Sequence, residues 1–239
     1  EVRTDILTPQ LLERFHATLD LGPSGEVAPQ GIHWCLCLPD APTASLGPDG
    51  HPRRNLGDNS FLPPVPLPRR MWASSKVEFL APIGAGAAIA RTSTIASITE
   101  KTGGSGQLVF VELDHEMRAD DMLAVKERQT IVYREASPPT PRSSRAQSRD
   151  GEAAQSVSTT LDTNGQGMDW HFHRTLMPSE PLLFRYSALT FNSHRIHYDL
   201  AYATQEEGYR GLVVHGPLTA SLLLDLAAQQ FGANALANF

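Results

Sequence analysis

The chain has 239 residues, 41% apolar and 19% charged, with a formal net charge of −6. That length holds one large domain or two small ones, and that apolar content supports a packed core, which excludes a disordered chain. The acidic balance argues against a nucleic-acid partner, and no run approaches the roughly 18 consecutive apolar residues of a membrane span.

The chain opens on Glu1 without the apolar run of a signal peptide, which leaves a processed precursor open. Thr8-Pro9 reads as a helix start, a capping hydroxyl followed by a proline at the first helical position. Leu11, Leu12, Phe15 and Leu19 share one face, and Gly22-Pro23 ends the helix. Ile32 to Leu38 is apolar but too short to assign to helix or strand. Cys35 and Cys37 are too close to form a useful staple; they fit a reducing compartment and a buried, apolar role.

Residues 39–70 hold Pro39, Pro42, Pro48, Pro52, Pro63, Pro64, Pro66 and Pro68, a density that forbids regular structure. A loop this long inside a compact domain is either functional or a linker. Strand candidates follow: Met71 to Leu80 (mixed in pattern), Ala88 to Thr99, Leu108 to Glu116 and Ala124 to Tyr133, with Thr102 to Gly106 as a hairpin turn. Residues 137–168 are rich in Ser, Pro, Gly, Arg and Gln and read as a flexible linker. Beyond it, Asp169 to Leu176 and Leu182 to Ala188 look like strands, and Asp199 to Glu206 like a short helix. Gly216 to Gln230 is a strong helix with Pro217 in its first turn. It is apolar nearly all round, as a buried helix is.

Some signals are weak. Gly84-Ala85-Gly86 has the opening of a dinucleotide-binding loop, but the third glycine and the following helix are missing, so a turn entering a strand is the better reading. His171 and His173 alternate on a supposed strand without a third ligand. His194, His197 and His215 form a possible zinc set, but no cysteines and no HExxH pattern accompany them. Both groups read as structural, and no metal is expected.

One window is specific: Tyr186-Ser187-Ala188-Leu189-Thr190-Phe191-Asn192-Ser193-His194-Arg195-Ile196-His197-Tyr198-Asp199, followed by His215-Gly216-Pro217. It resembles the MaoC-like dehydratases, in the branch of the type 2 hydroxyacyl-thioester dehydratases and the mesaconyl- or itaconyl-CoA hydratases. The run Phe61-Leu62-Pro63-Pro64-Val65-Pro66-Leu67-Pro68-Arg69-Arg70-Met71-Trp72 resembles the same branch. The likeness covers nearly the whole chain and is weakest in the linker. It implies an α+β double hotdog: an antiparallel sheet wrapped around a central helix, in two tandem halves. Residues 1–136 would be the N-terminal half and 169–239 the C-terminal half carrying the motif. Few residues follow the last helix, so the second half is expected to lack its C-terminal strands.

The resemblance implies a hydro-lyase that adds water to an α,β-unsaturated acyl-CoA, with coenzyme A carried by the substrate and no other cofactor. The residues make chemical sense of it. His197 titrates near neutrality and can act as base toward water. The amide of Asn192 can orient that water. Gly216 can offer a backbone N–H and the helix dipole to the thioester oxygen, as Pro217 cannot. The wider family has Asp where Asn192 stands, which leaves the proton work to His197, with Asp199 nearby in sequence. Arg195, where the family usually has Pro, suggests an anion: the carboxylate of a dicarboxylic acyl group or a coenzyme A phosphate. Arg185, His215 and Tyr198 are further substrate-binding candidates. Arg69 and Arg70 are candidates for the phosphates, and solvated surface charge fits them equally.

The alternatives are a 3-hydroxyacyl-thioester dehydratase of fatty acid synthesis and a non-catalytic acyl-thioester-binding protein. Monomer and homodimer both fit. The expected compartment is the cytoplasm, with the mitochondrial matrix as the alternative.

Overall fold

The computed structural model describes residues 1–53, 61–103, 106–135 and 172–239. The expected linker 137–168 and His171 lie outside these residues.

Thr8 accepts a hydrogen bond from the Leu11 N–H at 3.1 Å and caps α1, Pro9–Leu19, whose Leu12, Phe15 and Leu19 are buried. The helix ends at Asp20, which takes the left-handed conformation (φ 53°) just before the expected Gly22-Pro23 stop. The strands are β1 (Val2–Ile6), β2 (Arg69–Phe79), β3 (Ala88–Gly103), β4 (Gly106–Ala119) and β5 (Met122–Arg134). They form one antiparallel sheet in the order β1-β3-β4-β5-β2. The expected meander is its centre, and Gly103 pairs with Gly106 across the expected hairpin. Gly84 to Gly86 is a turn entering β3, with Gly86 at φ 88°.

β1 was not visible in the sequence because its pattern is inverted. Val2 and Ile6 are exposed, while Arg3 and Asp5 are half-buried and bond to the Leu38 carbonyl and the Cys37 N–H.

Two expected strands do not form among the described residues. Leu182 to Ala188 lies within α2, Glu180–Leu189: Ser179 accepts from the Leu182 N–H, Pro181 occupies the first turn, and the buried Leu183 and Tyr186 keep helical spacing. The short run Leu182-Leu183-Phe184 hid that period. Residues 172–176 of the other expected strand are irregular. Residues 200–206 form the expected short helix, with a π-helical segment at Tyr202–Glu206. The last helix, α3, spans Gly216–Phe231 and buries Leu218, Ala220, Ser221, Leu222 and Leu224; Leu223 and Leu226 are half-buried.

The main core gathers α1, α2 and α3 on the sheet, joining Phe15, Val77, Ile89, Met117, Tyr186 and Leu218, with the free cysteines Cys35 and Cys37 inside it. A second cluster packs Val65 and Leu67 of the proline-rich loop on Val109, Val111, Leu113 and Tyr133. After α3 the backbone of residues 237–239 bonds to Val77 and Phe79 along the outer edge of β2. No helix among the described residues is long and apolar enough to cross a membrane.

Candidate active site

α2 ends at Leu189, and the chain reverses through Phe191 in the left-handed region (φ 47°). The turn is held locally. The Asn192 N–H donates to the Ser187 carbonyl at 2.8 Å, and the Asn192 Oδ1 accepts from the His194 N–H at 3.0 Å. Asp199 caps the next segment, accepting from the Tyr202 N–H. A 3₁₀ turn, Arg195–His197, then carries His197 to the edge of a large cavity.

His197 sits 2.7 Å, through Nδ1, from the Val213 carbonyl. A carbonyl only accepts, so Nδ1 carries the proton and Nε2 keeps its lone pair. Burial lowers the His197 pKa to about 4 against the opposing effect of the Val213 bond, with a further lowering contribution from His51. The ring stacks on His215 with centroids 3.6 Å apart and planes at 19°. Nε2 of His215 lies 2.8 Å from the Ser187 hydroxyl, and burial takes its pKa to about 2. These rings face one another as a stack, and neither converges with His194 as a zinc set. His173 is exposed on an irregular segment.

Gly216 follows His215 and opens α3, which has no side-chain cap. The first N–H groups of such a helix have no intrahelical acceptor. The Trp72 indole packs directly on the Gly216 backbone: a Cβ at Gly216 would lie 1.9 Å from Trp72 Cε3. Trp72 is held in turn, since its Nε1 donates to Ser75 Oγ at 3.0 Å and Ser75 donates to the buried Glu127 carboxylate. Trp34 Nε1 donates to the same oxygen at 3.1 Å. Burial raises the Glu127 pKa, while the Ser75 and Trp34 bonds oppose the rise.

The cavity is about 1080 Å³ and is lined by Asn192, His197, Tyr198, His215 and Gly216 among the expected site residues. Its floor is the inner sheet face, where Ser93, His115 and Glu127 form one register row and Arg91 stands in the next. Phe61 to Pro64 of the proline-rich loop also line it, so that loop contributes to the site.

Arg195 and Arg185 are not among the lining residues. Arg195 donates to Asp199 Oδ2 at 2.7 and 3.0 Å and to the Pro48 carbonyl at 2.9 Å, and its guanidinium lies over the Tyr202 ring. Its donors serve loop structure, and Asp199 is engaged with them. Arg185 is exposed on α2. Arg69 pairs with Glu207 at 3.1 Å and is buried, whereas Arg70 faces the cavity.

Sequence reasoning missed Asp49 and His51. Pro48 to Gly50 is stitched to the motif turn: Ser193 Oγ donates to the Gly50 carbonyl at 2.5 Å and the Arg195 N–H to the Asp49 carbonyl at 2.9 Å. Gly50 is at φ 88°, and a Cβ there would meet the Ser193 carbonyl at 1.9 Å. Asp49 Oδ2 lies 3.2 Å from His51 Nδ1, and the His51 ring lies 4.1 Å from that of His194. Donor atoms of Asp49, His51 and His194 fall within 4.8 Å of one another. The polar Pro-Asp-Gly-His inside a proline-rich loop was the available signal.

Residues 31–239 match the family of the type 2 hydroxyacyl-thioester dehydratases. The chain belongs to that family. Among similar members, the mesaconyl-C(4)-CoA hydratase of Chloroflexus aurantiacus is 44% identical over 195 residues, which are 82% of this chain and 62% of the relative. The mitochondrial type 2 hydroxyacyl-thioester dehydratase of Schizosaccharomyces pombe is 48% identical over 48 residues, 20% of this chain and 16% of that protein. The chain thus spans less than two thirds of either relative. Among solved structures, a MaoC-like dehydratase superposes with a TM-score of 0.64 at 16% identity, over 99% of this chain and 78% of the other. HtdX of Mycobacterium tuberculosis gives 0.59 at 16% identity, over 96% and 79%. At such identities the likeness is one of fold: a family member with an α+β architecture and a five-stranded antiparallel sheet.

Proposed function

We propose that this type 2 dehydratase carries the site of an acyl-CoA hydro-lyase that adds water to a short unsaturated dicarboxylic acyl-CoA, with mesaconyl-CoA as substrate and itaconyl-CoA in the same class. The observation that carries the reading is His197: its Nδ1 proton is held by Val213, so its basic nitrogen is available at the cavity beside the start of α3. Nε2 of His197 takes a proton from water, the hydroxide adds to the β-carbon, the π electrons move onto the thioester oxygen, and the resulting enolate takes up a proton at the α-carbon. The Gly216 N–H and the start of α3 stabilise that oxygen. Asn192 Oδ1 is committed to the His194 N–H, so the amide turns its donor end to the water. His215 holds the His197 ring by stacking, and Tyr198 bonds the Ser193 carbonyl at the rim.

Ser93, His115 and Glu127 set polar groups among the apolar Leu113, Met117, Val125 and Ile131 on the sheet face, and a short acyl group carrying a carboxylate can use them together with Arg70. Arg70 takes the anion-binding role the sequence suggested for Arg195. In the same reading, residues 1–136 and 169–239 are the two hotdog halves, the first supplying the sheet and the second the motif and central helix. Two free, buried cysteines accord with a reducing compartment such as the cytoplasm.

The test is hydration of mesaconyl-C4-CoA against crotonyl-CoA, followed by loss of the enoyl-thioester absorbance. The diacid thioester should be preferred, and His197→Ala should lower kcat by about 10³-fold with an unchanged circular dichroism spectrum. Turnover of neither substrate overturns the reading, and a near-full rate in His197→Ala overturns the assignment of the base.

A further inference from the structure

Five positions before His197 stands Asn192, whose amide cannot exchange a proton near neutral pH. The fold brings a carboxylate to the site from a distant loop. Asp49 and His51 lie on the segment stitched to Ser193 and Arg195, and His51 and His194 line the same cavity as His197.

The pair is built as a proton-transfer unit. Asp49 Oδ1 accepts the His51 backbone N–H at 3.1 Å and Oδ2 faces Nδ1 at 3.2 Å. Burial pushes the Asp49 carboxyl up, but the hydrogen bonds to His51 and the charge of that ring outweigh it and hold its pKa at about 2. An ionised carboxylate only accepts, so Nδ1 of His51 carries the proton, and a second proton on Nε2 gives an imidazolium stabilised by Asp49. Among the described residues, His194 and His197 on the motif turn, Arg70 on β2 and the Tyr202 hydroxyl are further titratable or charged groups coupled to this cluster. Burial lowers the His194 pKa to about 3, with His51 and His197 adding to the effect, so that ring stays neutral between the two. The His51 and His194 rings are 4.1 Å apart and those of His194 and His197 5.6 Å, a continuous row of imidazoles along the cavity wall.

We propose that the Asp49–His51 pair is the second proton-transfer group of this site, the acid that protonates the α-carbon while His197 takes a proton from water. This rests on the hydratase reading. The balance closes: water gives hydroxide to the β-carbon and a proton to His197, the thioester enolate forms, and the His51 imidazolium gives its Nε2 proton to the α-carbon. The proton on His197 then returns to His51 through water, so one water is added per turnover and both imidazoles are reset.

The experiment measures kcat and KM of the full chain on whichever of mesaconyl-C4-CoA and crotonyl-CoA the wild type hydrates. His51→Asn and the bulkier His51→Gln should each lower kcat by about 10²–10³-fold with KM within about threefold. Asp49→Asn should lower kcat by about 10²-fold or more, since the amide neither holds the Nδ1–H tautomer of His51 nor stabilises its imidazolium. The basic limb of the wild-type kcat–pH profile should vanish in the His51 variants, because the acid must be protonated to act. Asn192→Asp added to His51→Asn restores a carboxyl group at the motif turn and should recover at least about tenfold. The proposal is overturned if both His51 variants keep kcat within about threefold of wild type, if the loss lies in KM alone, or if Asn192→Asp gives no recovery. Wild type inactive on both thioesters removes the hydratase reading and this proposal with it. An inactive His197→Ala beside fully active His51 variants removes this proposal alone.

Discussion

Gly216 has two functions at one backbone position. Its N–H belongs to the unsatisfied start of α3, and its missing Cβ makes room for the Trp72 ring. Gly216→Ala should therefore fail twice: about 1–3 kcal/mol of stability lost to overpacking against a ring fixed through Ser75 and Glu127, read by denaturant titration, and a fall in kcat as the helix start is displaced. Most of the candidate site was legible at this scale. Asn192, His197, His215 and Gly216 fall within two short motifs, and the fold brings them to one cavity. Arg195 was misread because a guanidinium next to a candidate base reads as an anion ligand until its partners are known; Asp199, Pro48 and Tyr202 are those partners. Asp49 and His51 were not legible, since their relevance depends on a loop bond to Ser193 spanning 143 positions of sequence.

Among elements, the proline-rich loop matters more than its lack of regular structure suggests. Its anchor is Gly50, whose positive φ and contact with the Ser193 carbonyl leave no room for a side chain. Gly50→Ala should cost about 1–3 kcal/mol from backbone strain alone, and the steric contact should detach residues 48–51 from the motif turn. The check is a fall in both thermal stability and kcat while the far-UV spectrum keeps its strand content. Strands β3 to β5 were legible because alternation and the glycine turn agree with their pairing, while the mixed pattern of β2 goes with its register shift between Trp72 and Ser74. β1 inverts the usual pattern, placing Arg3 and Asp5 toward the loop. α2 was read as a strand because three consecutive apolar residues carry no period, while its Ser179 cap and Pro181 were the signals that mattered.

For the whole molecule, the interior contains an uncommon number of histidines kept neutral by burial. The pKa falls to about 3 for His33 and His194, to about 4 for His115 and His197, and to about 2 for His215, with burial the leading cause in each. In the unfolded chain each titrates near 6.5. Between that value and the folded one, the unfolded state binds more protons, so stability is fully present above about pH 6.5 and declines as pH falls. Each histidine protonated only on unfolding contributes a slope of about 1.4 kcal/mol per pH unit in its window. Urea midpoints from pH 7.5 down to 4.5 should drop steeply, and a flat profile would contradict this account. The backbone bonds of residues 237–239 to β2 bear on a different property. Asn234 bonds the Ala28 carbonyl and the Gln30 N–H, and Gln30 bonds the Leu236 carbonyl, so the short segment after α3 is fastened to the loop after α1 and to Val77 and Phe79. It acts as a clasp. Asn234→Ala should release both ends, seen as faster hydrogen exchange at the Val77 and Phe79 amides while those of β4 stay protected. An opened clasp bares the sheet's outer edge, and a bared edge is a template on which another strand can assemble.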